Sequence, residues 1–133
     1  MKNKINAVLM LSVLLLTGCA GVSLSTSSTL PAAEGTVKYK RSENDNTIIA
    51  LKVKHLAQPE KLTPPASTYV VWTRANKDAE PQNIGALKVD DNLDGSLNGE
   101  TPLHSFELFI TAESSSQVKL PTGQPMLWTN YSR

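Results

Sequence analysis

The constraint that decides most about this chain is an alternation of apolar and polar residues that begins at Gly35 and recurs, between turn signals, almost to the end. Successive side chains of a strand point to opposite faces, so a period of two marks strands with one face in a core and one in water. In "GTVKYKR", residues 35–41, Val37 and Tyr39 share one face and Lys38 and Lys40 the other. "SENDN" is dense in turn formers, and "TIIALKVKHL" then sets Ile49, Leu51 and Val53 against Lys52 and Lys54, which predicts a hairpin. "AQPEKLTPPAS" carries three prolines and reads as a connection between sheets or across a sheet edge. "TYVVWTRA", residues 68–75, is the most β-prone run and predicts a central strand. "QNIGALKVD" alternates Ile84, Ala86 and Lys88 against Gly85, Leu87 and Val89, and "HSFELFITAE" alternates Phe106, Leu108 and Ile110 against Glu107, Phe109 and Thr111. A Pro-Thr-Gly-Gln-Pro turn leads into a last strand at residues 126–131. With no helical period of useful length, the reading is all-β: an antiparallel, immunoglobulin-like β-sandwich of about seven strands over residues 34–133.

The N-terminal residues predict location. Lys2 and Lys4 precede an apolar run from Ile5 to Leu16, which is short of the roughly 20 residues a membrane span needs but suits a secretory signal. "LTGC", ending at Cys19, matches the bacterial lipoprotein signal, in which a cysteine is acylated and becomes the new N-terminus. Residues 1–18 are accordingly expected to be a signal peptide and Cys19 a lipid anchor holding the protein to the membrane on the extracytoplasmic side of the cell envelope. Ala20, in place of aspartate, would favour the outer membrane in a Gram-negative cell. Residues 19–33, small, polar and without period, are expected to be the lipidated cysteine and a flexible tether.

Removal of residues 1–18 would leave 115 of the 133 residues, with 11 basic against 12 acidic side chains, a formal charge of −1. That balance, with no basic cluster in the linear sequence, carries no footprint for nucleic acid or anionic lipid. Cys19 is the only cysteine, so a disulfide is not expected and the domain must stand on its core.

"DDNLDGSLNGET", residues 90–101, resembles a calcium loop. Asp90, Asn92 and Asp94 fall at positions 1, 3 and 5 and Gly95 at 6, but position 12 is Thr101, with Glu100 one residue early, and predicted strands flank the loop. It therefore reads as a long turn in which Gly95 and Gly99 take positive φ, with a weak calcium site at Asp90, Asn92 and Asp94 as the alternative. His55 and His104 lack partners for a zinc set, and no Gly-x-Ser-x-Gly elbow is present. No cofactor and no catalysis are expected. Trp72 and Trp128 read as core, with a groove beside Tyr69 or Trp128 as the other reading. Lys38, Lys40, Lys52 and Lys54 would be gathered by strand pairing onto one face, either an ordinary solvated one or one that binds an acidic partner.

Four motifs in order, "YVVWTR", "IGALKVD", "SFELFITAE" and "PTGQPMLW", are similar to the extracytoplasmic C-terminal domain of the anti-sigma-K factor family. In that domain a Tyr and a Trp share a strand, an Ile-Gly or Leu-Gly pair opens the next, and a Thr-Ala-Glu triplet precedes a Pro-Thr-Gly turn. The resemblance spans residues 35–128 and implies a membrane-attached β-sandwich associated with transcriptional signalling. The family's cytoplasmic sigma-binding domain and transmembrane helix have no counterpart here; a lipidation signal stands in their place. The expected function is a non-catalytic, lipid-anchored envelope protein that binds a protein partner or senses a signal, with a calcium- or small-ligand-binding lipoprotein as the alternative.

Overall fold

In a computed structural model, residues 21–133 are described; the expected signal peptide (1–18) and Cys19 lie outside the described residues. The alternation becomes ten strands: β1 (Val22–Ser23), β2 (Ser25–Thr26), β3 (Glu34–Arg41), β4 (Thr47–Lys54), β5 (Thr68–Arg74), β6 (Gln82–Ala86), β7 (Lys88–Val89), β8 (Gly95–Thr101), β9 (Ser105–Glu113) and β10 (Leu127–Ser132). They form two antiparallel five-stranded sheets, ordered β1-β3-β4-β8-β7 and β2-β10-β9-β5-β6. The fold is the expected β-sandwich. In immunoglobulin lettering, β3-β4-β8-β7 runs A-B-E-D and β10-β9-β5 runs G-F-C.

Residues that alternation groups on one face of each long strand make the core, joined by Tyr69, Val71 and Leu127. Val37, Ile49, Leu51 and Val53 of the first sheet meet Tyr69, Val71, Phe106, Leu108, Ile110 and Leu127 of the second, all of them buried. Removing that apolar surface from water, at about 25 cal/mol per Å2, is what drives the two sheets together.

Three expectations change. Residues 21–33 are not a flexible tether. They cross the open side of the sandwich, pairing with β3 through β1 and with β10 through β2, and they switch sheets at the buried Leu24. The Leu24 amide donates to the Gly35 carbonyl (2.9 Å) and the Ser27 amide to that of Met126 (2.8 Å), while Leu30 and Ala33 are buried as well. Two-residue strands on different sheets produce no period, which is why the apolar residues of this segment looked scattered. Secondly, "QNIGALKVD" is not one strand. It leaves the second sheet after Ala86, buries Leu87 and joins the first sheet as β7. Both open sides are thus closed by a chain that crosses between sheets over an inward leucine, and the free edges are short, as sheet proteins require.

Thirdly, residues 95–101 are not part of a turn but strand β8, paired on both sides between β4 and β7. Gly95 and Gly99 face inward without positive φ, and a β-carbon there would press on Leu56 (3.0 Å) and Ile84 (3.3 Å) respectively. Asn and Gly weaken the strand signal, yet here the glycines make room for the crossing strand. The glycine that does need its freedom is Gly85, at φ 133 beside a bulge in the β5–β6 pairing, where a β-carbon would lie 2.9 Å from Leu97.

The outer face of the second sheet carries a small core of its own. Val70, Trp72 and Phe109 are buried there beneath Val118 and Trp128, and the Arg74 guanidinium stacks over the Phe109 ring at 4.8 Å. Their cover is a strap, residues 114–126, that leaves β9, reaches across β5 to Asn83 of β6, and returns to β10.

Candidate functional site

The two broad faces of the sandwich differ in chemistry. On the first sheet, outward positions alternate with the core residues, and strand pairing sets them in rows. One row runs Thr36, Lys52, Ser96, Lys88, and the next runs Lys38, Ala50, Asn98. Lys38, Lys52 and Lys88 therefore form a band across the centre of the sheet with uncharged register partners. Lys40 and Lys54 extend it, while Glu100 lies at one end and Glu34 at the other. All five lysines are exposed, and among the described residues none forms an ion pair. The four lysines expected to share a face do share it. Lys88 joins them only because the chain changes sheets at Leu87, which no linear pattern encodes.

Gly21, just before edge strand β1, abuts this face: a β-carbon there would collide with the Thr36 methyl and lie 3.6 Å from Lys38 Cγ, so it stands beside the outward side chains of β3.

The acidic turn lies at the edge of the same face. Asp90 Oδ1 accepts the backbone amides of Asn92 (2.9 Å) and Asp94 (3.0 Å), and the Asp90 amide donates to the Asp94 carbonyl (2.9 Å). Leu93, not a glycine, takes the left-handed conformation at φ 62. The turn is thus closed by its own backbone. Asp90 and Asp94 also line a shallow hollow of about 320 Å3 together with Lys52, Lys54 and Lys88, cations that would repel a metal ion. Among the described residues no group of three or more His, Cys, Asp or Glu is placed to hold a metal. His55 and His104 stand at opposite ends of β4, a strand of eight residues or about 26 Å. His104 Nε2 is 2.9 Å from the Asp45 carbonyl oxygen and 3.4 Å from its carboxylate, in a cluster where Arg41 (2.7 Å) and Arg133 (3.0 Å) also meet Asp45. Desolvation of the Asp45 carboxyl is outweighed by the Arg133 hydrogen bond and the charges of Arg41, His104 and Arg133, which lower its pKa. The cluster ties the C-terminal residue to the β3–β4 turn.

Sequence reasoning missed the polar device on the opposite face. Glu113 is 1 % exposed, and its carboxylate accepts the Thr111 hydroxyl (2.6 Å), the Thr122 amide (2.9 Å) and hydroxyl, and the Gly123 amide (3.3 Å). Trp72 Nε1 donates in turn to Thr111 Oγ1 (2.9 Å). Burial raises the Glu113 pKa, but the hydrogen bonds from Thr111, Thr122 and Gly123 prevail and it is lowered overall. The Thr-Ala-Glu triplet and the Pro-Thr-Gly turn, separate in the sequence, are one latch holding the strap. Asn83 Nδ2 fastens the other end to the carbonyls of Ser116 (3.0 Å) and Val118 (2.9 Å). Trp72 is packed beneath the strap and not between the sheets, and Trp128 is half-buried beside it. Tyr69 is wholly buried, its hydroxyl donating to the Ala57 carbonyl (2.7 Å), and burial pushes its phenol up to about 12. It lines no groove.

No protein-family model, curated protein or solved structure matches the chain.

Proposed function

We propose that this chain is a non-catalytic, lipid-anchored envelope protein whose sandwich binds a protein partner or senses a signal, akin to the outer domain of anti-sigma factors without their sigma-binding part. The observation that carries the reading is the pairing of β1 with the edge of the first sheet. Strand β1 is already paired to the sheet at Val22, three residues after Cys19, so an acyl group on Cys19 would bring the sandwich itself to the membrane. Between Cys19 and Gly21 the backbone reaches at most about 7 Å. A protein held so closely acts at the surface that carries it, and the strap-covered face of the second sheet is the one left for a partner. The Glu113 latch gives two of the motifs on which that resemblance rests a common physical purpose in this chain.

Metabolic labelling with a palmitate analogue tests the anchor: the wild-type chain is labelled and sediments with membranes, and Cys19→Ser is neither. Crosslinking from the strap in detergent-solubilised membranes tests the partner, with one protein expected to be captured by wild type and lost when Gln117 and Lys119, both exposed on the strap, are changed to alanine. Label on Cys19→Ser, or capture unaffected by the strap changes, would refute the respective half.

A further inference from the structure

We infer that the lysine face of the first sheet rests on a membrane leaflet carrying anionic phosphate headgroups, so that the lipid anchor and the sheet together fix the orientation of the domain. The inference deepens the anchored reading above and rests on it. Three observations converge. First, Lys38, Lys52 and Lys88 cross the middle of an uncovered sheet in register with Thr36, Ala50, Ser96 and Asn98, none of them charged. Secondly, these lysines form no ion pair among the described residues, whereas Arg41, Arg74 and Arg133 all do, and the acids of this face, Glu34, Asp90, Asp94 and Glu100, stand toward its ends. Thirdly, β1 is the edge strand of this same sheet and Gly21 stands beside Thr36 and Lys38, so the residue two positions after Cys19 lies at the edge of the lysine face.

A lysine near an anionic surface gains roughly fivefold in local partition. Taken alone, the three central lysines would favour the face-down orientation by up to about a hundredfold, a gain that the carboxylates toward the ends of the face reduce. No such gain would matter for a domain on a long flexible tether, which could turn over freely. On a link of two residues the anchor and the lysines act at the same place, and the entropic cost of orienting the domain is largely met by the anchor. Glu34, Asp90 and Asp94 at one end of the sheet and Glu100 at the other limit the band to its centre. The strap, fastened by Glu113 and Asn83, then points away from the leaflet.

The test uses the full-length, lipidated protein in vesicles of phosphatidylcholine alone or with about 30 % phosphatidylglycerol. A fluorophore is placed at Ser96→Cys on the lysine face or at Ser116→Cys on the strap, and quenching by headgroup-nitroxide lipid is read. In phosphatidylglycerol vesicles at low salt the Ser96→Cys fluorophore should be quenched at least about fivefold more than the Ser116→Cys one. The difference should fall toward parity in phosphatidylcholine, in about 0.5 M salt, and in the triple variant Lys38→Gln, Lys52→Gln, Lys88→Gln, while Lys→Arg at the same positions retains it. Equal quenching in phosphatidylglycerol, or a difference that survives in the triple glutamine variant, would overturn the inference. Protection of these lysines from amine reagents in native membranes but not in vesicles would also overturn it, in favour of an acidic protein partner. Failure of the anchor reads differently: the protein does not join vesicles, and wild type itself takes up the thiol label at Cys19.

Discussion

Replacing Glu113 by alanine removes the acceptor of four hydrogen bonds from a position that is 1 % exposed. The Thr111 and Thr122 hydroxyls can turn elsewhere, but the amides of Thr122 and Gly123 are directional and lose their partner. A buried unsatisfied amide costs about 1–3 kcal/mol; with both of these bonds part-buried, the alanine variant should lose about 2–4 kcal/mol, a large share of the stability of a domain this size. Glutamine is the control. Its amide oxygen can keep the three bonds now made by Oε1 while its nitrogen donates to Thr122 Oγ1, so it should lose about 1–2 kcal/mol, the difference between charged and neutral acceptors. Urea unfolding measures both values, and amide exchange at Thr122 and Gly123 shows whether the strap opens before the sandwich. The pH dependence has a definite sign. The folded pKa of Glu113 is lowered from 4.5, so folding favours the ionised form; its contribution is complete above the unfolded pKa and is lost as pH falls below 4.5 through the folded value. That acid slope should be absent in Glu113→Gln. An alanine variant within about 1 kcal/mol of wild type, or unchanged exchange at Thr122 and Gly123, would refute the latch.

Leu24→Ala should cost about 2–4 kcal/mol in urea unfolding, because Leu24 fills the crossing between sheets; a tether residue would cost nothing. Gly85→Ala should lose about 1–3 kcal/mol, since φ 133 disfavours a side chain and a β-carbon would lie 2.9 Å from Leu97; an unchanged thermal midpoint would mean that the bulge relaxes. Asp90→Ala should cost about 1–2 kcal/mol through the two amides its carboxylate accepts, and millimolar calcium should leave the midpoint of wild type unmoved. A calcium-dependent rise abolished by Asp94→Ala would restore the metal reading.

The long strands were legible because one face of each is apolar and the other wet. Alternation alone grouped Val37 with Tyr39, Ile49 with Leu51 and Val53, and Phe106 with Leu108 and Ile110, and of these all but Tyr39 and Phe106 are within 1 % of full burial. What stayed hidden lacked a period. Leu24 and Leu87 each serve a single crossing between sheets, and one apolar residue among small polar ones carries no pattern. Strand β8 was hidden because its inward positions hold Gly95 and Gly99, whose lack of a side chain makes space for Leu56, Leu87 and Ile84.

The sequence by itself determined that the chain is all-β and which residues of its long strands share a face. Only the tertiary structure decided what the leftover polar residues do. Lys88 meets Lys38 and Lys52 on one face, and Glu113 meets Thr122 across nine residues, because sheet order and chain crossings are set by packing between segments distant in sequence. Alternation records which side of a strand is wet. It does not record which strand lies beside it, and that neighbour turns scattered lysines into a band and two separate motifs into a latch.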